Sequence, residues 1–290
     1  MAIGYPMIQQ RLHIDSGTDL TYVLQNPHSD YNPLASSSFR YRSCLGLRSA
    51  SLTPGAMKGR CDFEKRGQLA GTGTLGLAPG DLSITSSFNK TFSICLGNLN
   101  RFQRTNEFLA LGDGAVLSGP TVALGNLLNV TMTSIAINEQ NLGLDILLSM
   151  SLTIMDTGHS ALSLVSNAYH AVIGNIKEKM VAYENAYTTD YNPLLCYNGK
   201  IPKNLGINLS LGIGNVTINF PKRKLFYQMR RDVYCLIVDE SVNGRNYIGI
   251  MAFQDLNVGF DIPNQKLYIK SIDCNILFDD YKDELDHPNP

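Results

Sequence analysis

The sequence contains no tryptophan in 290 residues. Carbohydrate-processing clefts rely on broad aromatic platforms, tryptophan above all, so a two-carboxylate glycosidase is disfavoured from the start. Neither sign of charge is in excess, with 24 Lys+Arg against 25 Asp+Glu. That leaves no electrostatic footprint for nucleic acid or an anionic membrane. No apolar run approaches the length of a membrane-spanning helix. The opening Met1-Ala2-Ile3-Gly4-Tyr5-Pro6 reads directly as strand rather than as a secretory leader. The six cysteines lack the spacing of metal ligands. The five histidines are scattered, and no His/Ser or His/Cys pairing for a nucleophilic triad stands out among them. The reading therefore assigns no metal and no cofactor.

What is present is one device used twice. Leu12-His13-Ile14-Asp15-Ser16-Gly17-Thr18 has a twin in Leu152-Thr153-Ile154-Met155-Asp156-Thr157-Gly158-His159. Each runs an apolar strand end into Asp, then a small hydroxyl residue, then a Gly that permits a tight turn. A lone Asp-Ser-Gly or Asp-Thr-Gly is an ordinary turn tripeptide. Two such matches 141 residues apart, one near the start and one near the middle, are much harder to dismiss. A carboxylate carried out of a core needs hydrogen bonds or a partner, and two of them invite pairing with each other.

On these residues the chain resembles the pepsin-like aspartic proteases, most closely the plant nepenthesin-type branch. Further strings carry the likeness: Gly73-Thr74-Leu75-Gly76-Leu77 and Tyr247-Ile248-Gly249-Ile250, the apolar-apolar-Gly elements that follow each catalytic turn, with Phe92-Ser93-Ile94-Cys95-Leu96 and Val233-Tyr234-Cys235. The resemblance implies an all-β, two-lobed fold with a few short helices. The N-terminal lobe is placed at 1–118, the C-terminal lobe at 119–278 and a frayed tail at 279–290. It implies an endopeptidase acting at acidic pH with a water activated by Asp15 and Asp156. Ser16 and Thr157 would supply crossed hydrogen bonds between the turns, Gly17 and Gly158 permit them, and Thr18 would donate to its carboxylate. The substrate would be an extended polypeptide and the protein a monomer in an extracellular or vacuolar setting.

Two departures run against activity. No Tyr-Gly-Asp-Gly-Ser-like string occurs, and Cys44 reaches Cys61 in a stretch too short for the family's flap, so the flap is read as missing. Histidine stands at 159, where the family places Ser or Thr. With the absent tryptophan, these favour the alternative of a non-catalytic, inhibitor-like binding protein of the same fold. Six cysteines allow fifteen pairings. The resemblance implies Cys196–Cys235 and Cys95–Cys274, which leaves Cys44 with Cys61, and disulfides imply an oxidising compartment. Sequons occur at Asn89, Asn129, Asn208 and Asn215. One helix is expected over Ser166–Tyr183, capped by Ser166, with Tyr169, Val172, Ile173, Ile176 and Met180 as its apolar stripe.

Overall fold

The computed structural model describes residues 7–23, 73–98, 107–181 and 194–279, with short pieces at 2–3, 5, 32, 35–38, 53–54, 61–62 and 187–188. The chain is all-β with few helices, as the pepsin-like resemblance implies. It divides into two compact units, Met1–Lys90 and Thr91–Pro290.

In the first unit, Ala2–Ile3 pairs antiparallel with Ile8–Gln9. Leu12–Asp15 then runs parallel to Gly73–Gly76, and Tyr22–Val23 pairs antiparallel on the other side of that strand. Thr53–Pro54 pairs with Cys61–Asp62. Most of the stretch in which the flap is read as missing, Cys44 included, lies outside the described residues.

Among the described residues the second unit holds four sheets. Two central strands show why no simple alternation is visible in them. Thr91–Leu96 and Leu256–Asp261 are buried on nearly every residue, because each is covered on both faces. They pair antiparallel, with Phe92 opposite Phe260. Those rings stack with centroids 4.3 Å apart. Lys266–Ser271 and Thr121–Ala123 extend the sheet on one side and Phe108–Leu111 on the other. Cys95, on the first central strand, is bonded to Cys274.

By contrast, Val216–Pro221 alternates buried and exposed residues, the signature of a half-covered strand. It closes a hairpin with Asn208–Ile213, which pairs in turn with Met132–Ile137. A further sheet joins Cys196–Asn198, Val233–Leu236 and Phe226–Arg230, and the cross-strand neighbours Cys196 and Cys235 are bonded.

The helix is Ser166–Met180. Its buried stripe is Ala168, Val172, Ile173, Ile176 and Met180, with Tyr169 only half-buried. Ser166 does not cap it. The cap position is Val165, whose N–H donates to the Asn246 side-chain oxygen at 2.9 Å. The helix has no side-chain cap, and the contact from Asn246 reaches the backbone just before its first turn.

A candidate active site built on two aspartate turns

Asp15 ends the strand Leu12–Asp15 and stands opposite Gly76 in a parallel pair. Asp156 ends Thr153–Asp156 and stands opposite Gly249, again in a parallel pair. The carboxylate of each folds back on its own turn. Gly17 N–H donates to Asp15 Oδ1 at 2.8 Å, and Gly158 N–H donates to Asp156 Oδ1 at 2.9 Å. The intervening hydroxyl residues, Ser16 and Thr157, are both buried at 1% exposure.

The glycine opposite each Asp is a steric requirement. A Cβ on Gly76 would meet the Leu20 backbone at 2.7 Å, and one on Gly249 would meet Ala161 O at 2.2 Å. In each unit the chain leaving the aspartate turn crosses directly over the glycine and is bonded to the segment beyond it. Ala78 N–H donates to Thr18 O at 3.0 Å, and Ile250 N–H donates to His159 O at 2.8 Å. In the first unit, Thr21 Oγ1 also accepts from Gly76 N–H and Ser83 Oγ donates to Gly76 O. The Asp19 side chain occupies the space a Gly80 Cβ would need. The sequence strings around Gly76 and Gly249 are thus the floors on which the aspartate turns rest.

The fourth residue of each turn distinguishes the two. Thr18 Oγ1 accepts from Leu20 N–H at 3.2 Å. His159 turns sideways. Its Nε2 is hydrogen-bonded to Ser163 Oγ, and Ser163 donates to Asp239 Oδ1. Because the carboxylate can only accept, the serine proton goes to Asp239, and Ser163 Oγ must accept from a protonated Nε2. The imidazole is also stacked on Tyr247, centroids 4.9 Å apart, and the Tyr247 hydroxyl accepts from Asn243 at 2.6 Å. So a His/Ser pairing does exist. It is not a nucleophilic triad, because the serine lies between the histidine and the acid and is itself 1% exposed. The spacing from 159 to 163 was the only local hint, and Asp239 lies 76 residues beyond Ser163.

The sequons differ in access. Asn89 and Asn215 are exposed. The Asn208 amide donates to Ser210 and Asn219, and Asn129 accepts from Leu127 N–H while sitting against Gly125. Among the described residues no group of His, Cys, Asp and Glu could hold a metal ion, and no helix is long and apolar enough to cross a membrane.

Comparison with known proteins gives two findings. Residues 129–271 match the family described as xylanase inhibitor C-terminal. The chain is also similar to the aspartyl protease UND of Arabidopsis thaliana, 26% identical over an alignment that covers 94% of this chain and 84% of that protein. The alignment runs to 343 positions, more than the 290 residues of this chain, so the relative carries internal segments that have no counterpart here.

Proposed function

We propose, from the match of residues 129–271 to the xylanase inhibitor C-terminal family and the similarity to an aspartyl protease, that the chain is a pepsin-like aspartic endopeptidase acting through Asp15 and Asp156. The single observation that carries the reading is the repetition of one device in both units. Each has an aspartate at a strand end, parallel to a glycine strand, with a glycine N–H on its Oδ1. Two carboxylates held together share one proton at acidic pH, the logic of the aspartic protease dyad that serves as the standing example of coupled carboxylates. The ionised member takes a proton from a water between them. That water attacks the peptide carbonyl, and the protonated member donates first to the developing oxyanion and then to the leaving nitrogen. In this reading Ser16 and Thr157 link the turns, the lobes are 1–118 and 119–278, and Thr91–Leu96 and Phe108–Leu111 are the part of the first lobe that joins the sheet of 256–271. The substrate lies extended and is held partly by main-chain hydrogen bonds. The protein acts as a monomer in an extracellular or vacuolar compartment, and the two disulfides among the described residues are in keeping with that setting. Glycans, where present, sit on Asn89 and Asn215.

A second reading, a non-catalytic binding protein of inhibitor type, is favoured by His159. Its Nε2 is committed to Ser163, which in turn donates to Asp239, so the turn at Asp156 is not supported by the hydroxyl that the family places there.

The deciding experiment is cleavage of a denatured protein substrate from about pH 3 to about pH 7, with and without pepstatin, for the wild type, Asp15→Asn and Asp156→Asn. Pepstatin-sensitive cleavage at acidic pH that both variants lack supports the enzyme. A folded wild type that cleaves nothing overturns it and leaves the binding protein.

A further inference from the structure

A cavity of about 360 Å³ opens in the second unit between the hairpin strand Val216–Pro221 and the paired strands Leu256–Asp261 and Lys266–Ser271. That volume falls in the range of small-molecule sites. None of the aspartate-turn residues lines it. Its apolar floor includes Val216, Leu256 and Ile269, all buried. Its charged groups are Arg223, Lys224 and Lys270, and no acidic residue is in the lining.

Asp255, outside the lining, lies near two of these cations, with Arg223 Nη1 at 3.2 Å and Lys224 Nζ at 3.7 Å from the same Oδ2. Lys224 is almost fully buried, its side chain 6% exposed, and Nζ donates to Gln254 O at 2.7 Å. Burial pushes its pKa below the ordinary value, against the pull of Asp255. Lys270 is exposed and has no acidic partner among the described residues. The lining thus carries three cationic side chains and no carboxylate beside an apolar floor, an arrangement that suits an anionic group. The apolar floor adds a demand that an inorganic anion does not meet, since only a ligand with a hydrocarbon body removes that surface from water.

We propose that this cavity is a binding site for a small organic carboxylate. The head group sits between Arg223 and Lys270, and the apolar body lies on Val216, Leu256 and Ile269. The site is independent of the aspartate turns and of the proteolytic reading.

The test is calorimetric titration of the whole chain with butanoate, hexanoate and octanoate, and with octanol and inorganic phosphate as the two halves of the ligand. The expected result is a single saturable site for octanoate, with affinity rising about fourfold per added methylene. Arg223→Gln and Lys270→Gln should each weaken it about tenfold. Lys200→Gln, an exposed lysine outside the lining, should leave it unchanged. Arg223→Gln also removes the ion pair to Asp255, whereas Lys270→Gln breaks no ion pair among the described residues, and circular dichroism of each variant verifies its fold. No saturable binding of octanoate by the folded chain overturns the proposal. So does octanol or phosphate binding as tightly as octanoate, or Lys200→Gln weakening it as much as the lining variants.

Discussion

Gly249→Ala tests the link between fold and site most directly. The new methyl would stand 2.2 Å from Ala161 O and 2.6 Å from His159 O. Both are main-chain atoms, so no rotamer change relieves the contact. The crossing segment 159–161 must withdraw by about 1 Å to reach ordinary van der Waals separation. Three hydrogen bonds hold that segment down: Gly249 N to Ala161 O at 3.0 Å, Ile250 N to His159 O at 2.8 Å, and Met251 N to Ser160 O at 3.0 Å. A withdrawal of that size breaks all three. At about 1 kcal/mol each, the loss is about 3 kcal/mol, or roughly 6–12 °C in the unfolding midpoint of a unit this large. The assay is thermal and urea unfolding followed by tyrosine fluorescence, which the 14 tyrosines and the absence of tryptophan make clean. Gly174→Ala is the control. It lies inside the helix Ser166–Met180 with nothing within 4 Å of its added Cβ, so it should stabilise by about 0.5–1 kcal/mol. A Gly249→Ala protein that melts within about 1 °C of wild type would refute the steric argument.

Three further outcomes are expected. Ser163→Ala removes the bridge between His159 Nε2 and Asp239 and should cost about 1–3 kcal/mol in urea unfolding, and a midpoint equal to wild type would show that the bridge contributes nothing. Replacing the Cys196–Cys235 pair by alanines opens a loop of 39 residues and should cost about 4 kcal/mol, while the same change at Cys95–Cys274, with a separation of 179, should cost about 5 kcal/mol; the reverse order would refute the loop-entropy account. Lys224 gives a pH dependence of defined sign. Burial holds its folded-state pKa below 10.5, so the unfolded chain binds its proton more tightly than the folded chain in the interval up to 10.5. Stability from this group therefore rises with pH across that interval. Lys224→Met should flatten the rise in a pH series of urea midpoints, and an unchanged slope would refute it.

Much of the site's framework is legible in the sequence because it is local. An apolar run ending in Asp-Ser-Gly or Asp-Thr-Gly names the strand, the turn and the carboxylate within nine residues. The helix stripe is legible for the same reason, since Val172, Ile173, Ile176 and Met180 share one face by spacing alone. What is not legible depends on long-range contacts. Ser166 reads as the cap from its type alone, but the cap position lies one residue earlier, at Val165, with no side-chain cap and with Asn246 from a distant strand on the Val165 N–H. Asp239 reaches Ser163 only because Leu162–Leu164 and Val238–Glu240 are paired strands. Gly76 and Gly249 stand out as strings, but their reason is a crossing of the chain that no local pattern encodes. The basic run around Arg223 and Lys224 reads as a solvated face, yet one of its lysines is buried against Asp255.

The central sheet of the second unit has a consequence for how the chain is made. Thr91–Leu96 is buried on five of its six residues, and one of its two neighbours, Leu256–Asp261, follows about 160 residues later. At the elongation rates of cells, that interval lasts on the order of 10–30 seconds. Throughout it the nascent strand has only Phe108–Leu111 beside it, and a thiol at Cys95 whose partner does not yet exist. An apolar edge exposed for that long is a template for pairing with any other extended chain. Production of this protein should therefore be limited by holding chaperones and by the timing of oxidation rather than by the stability of the finished fold.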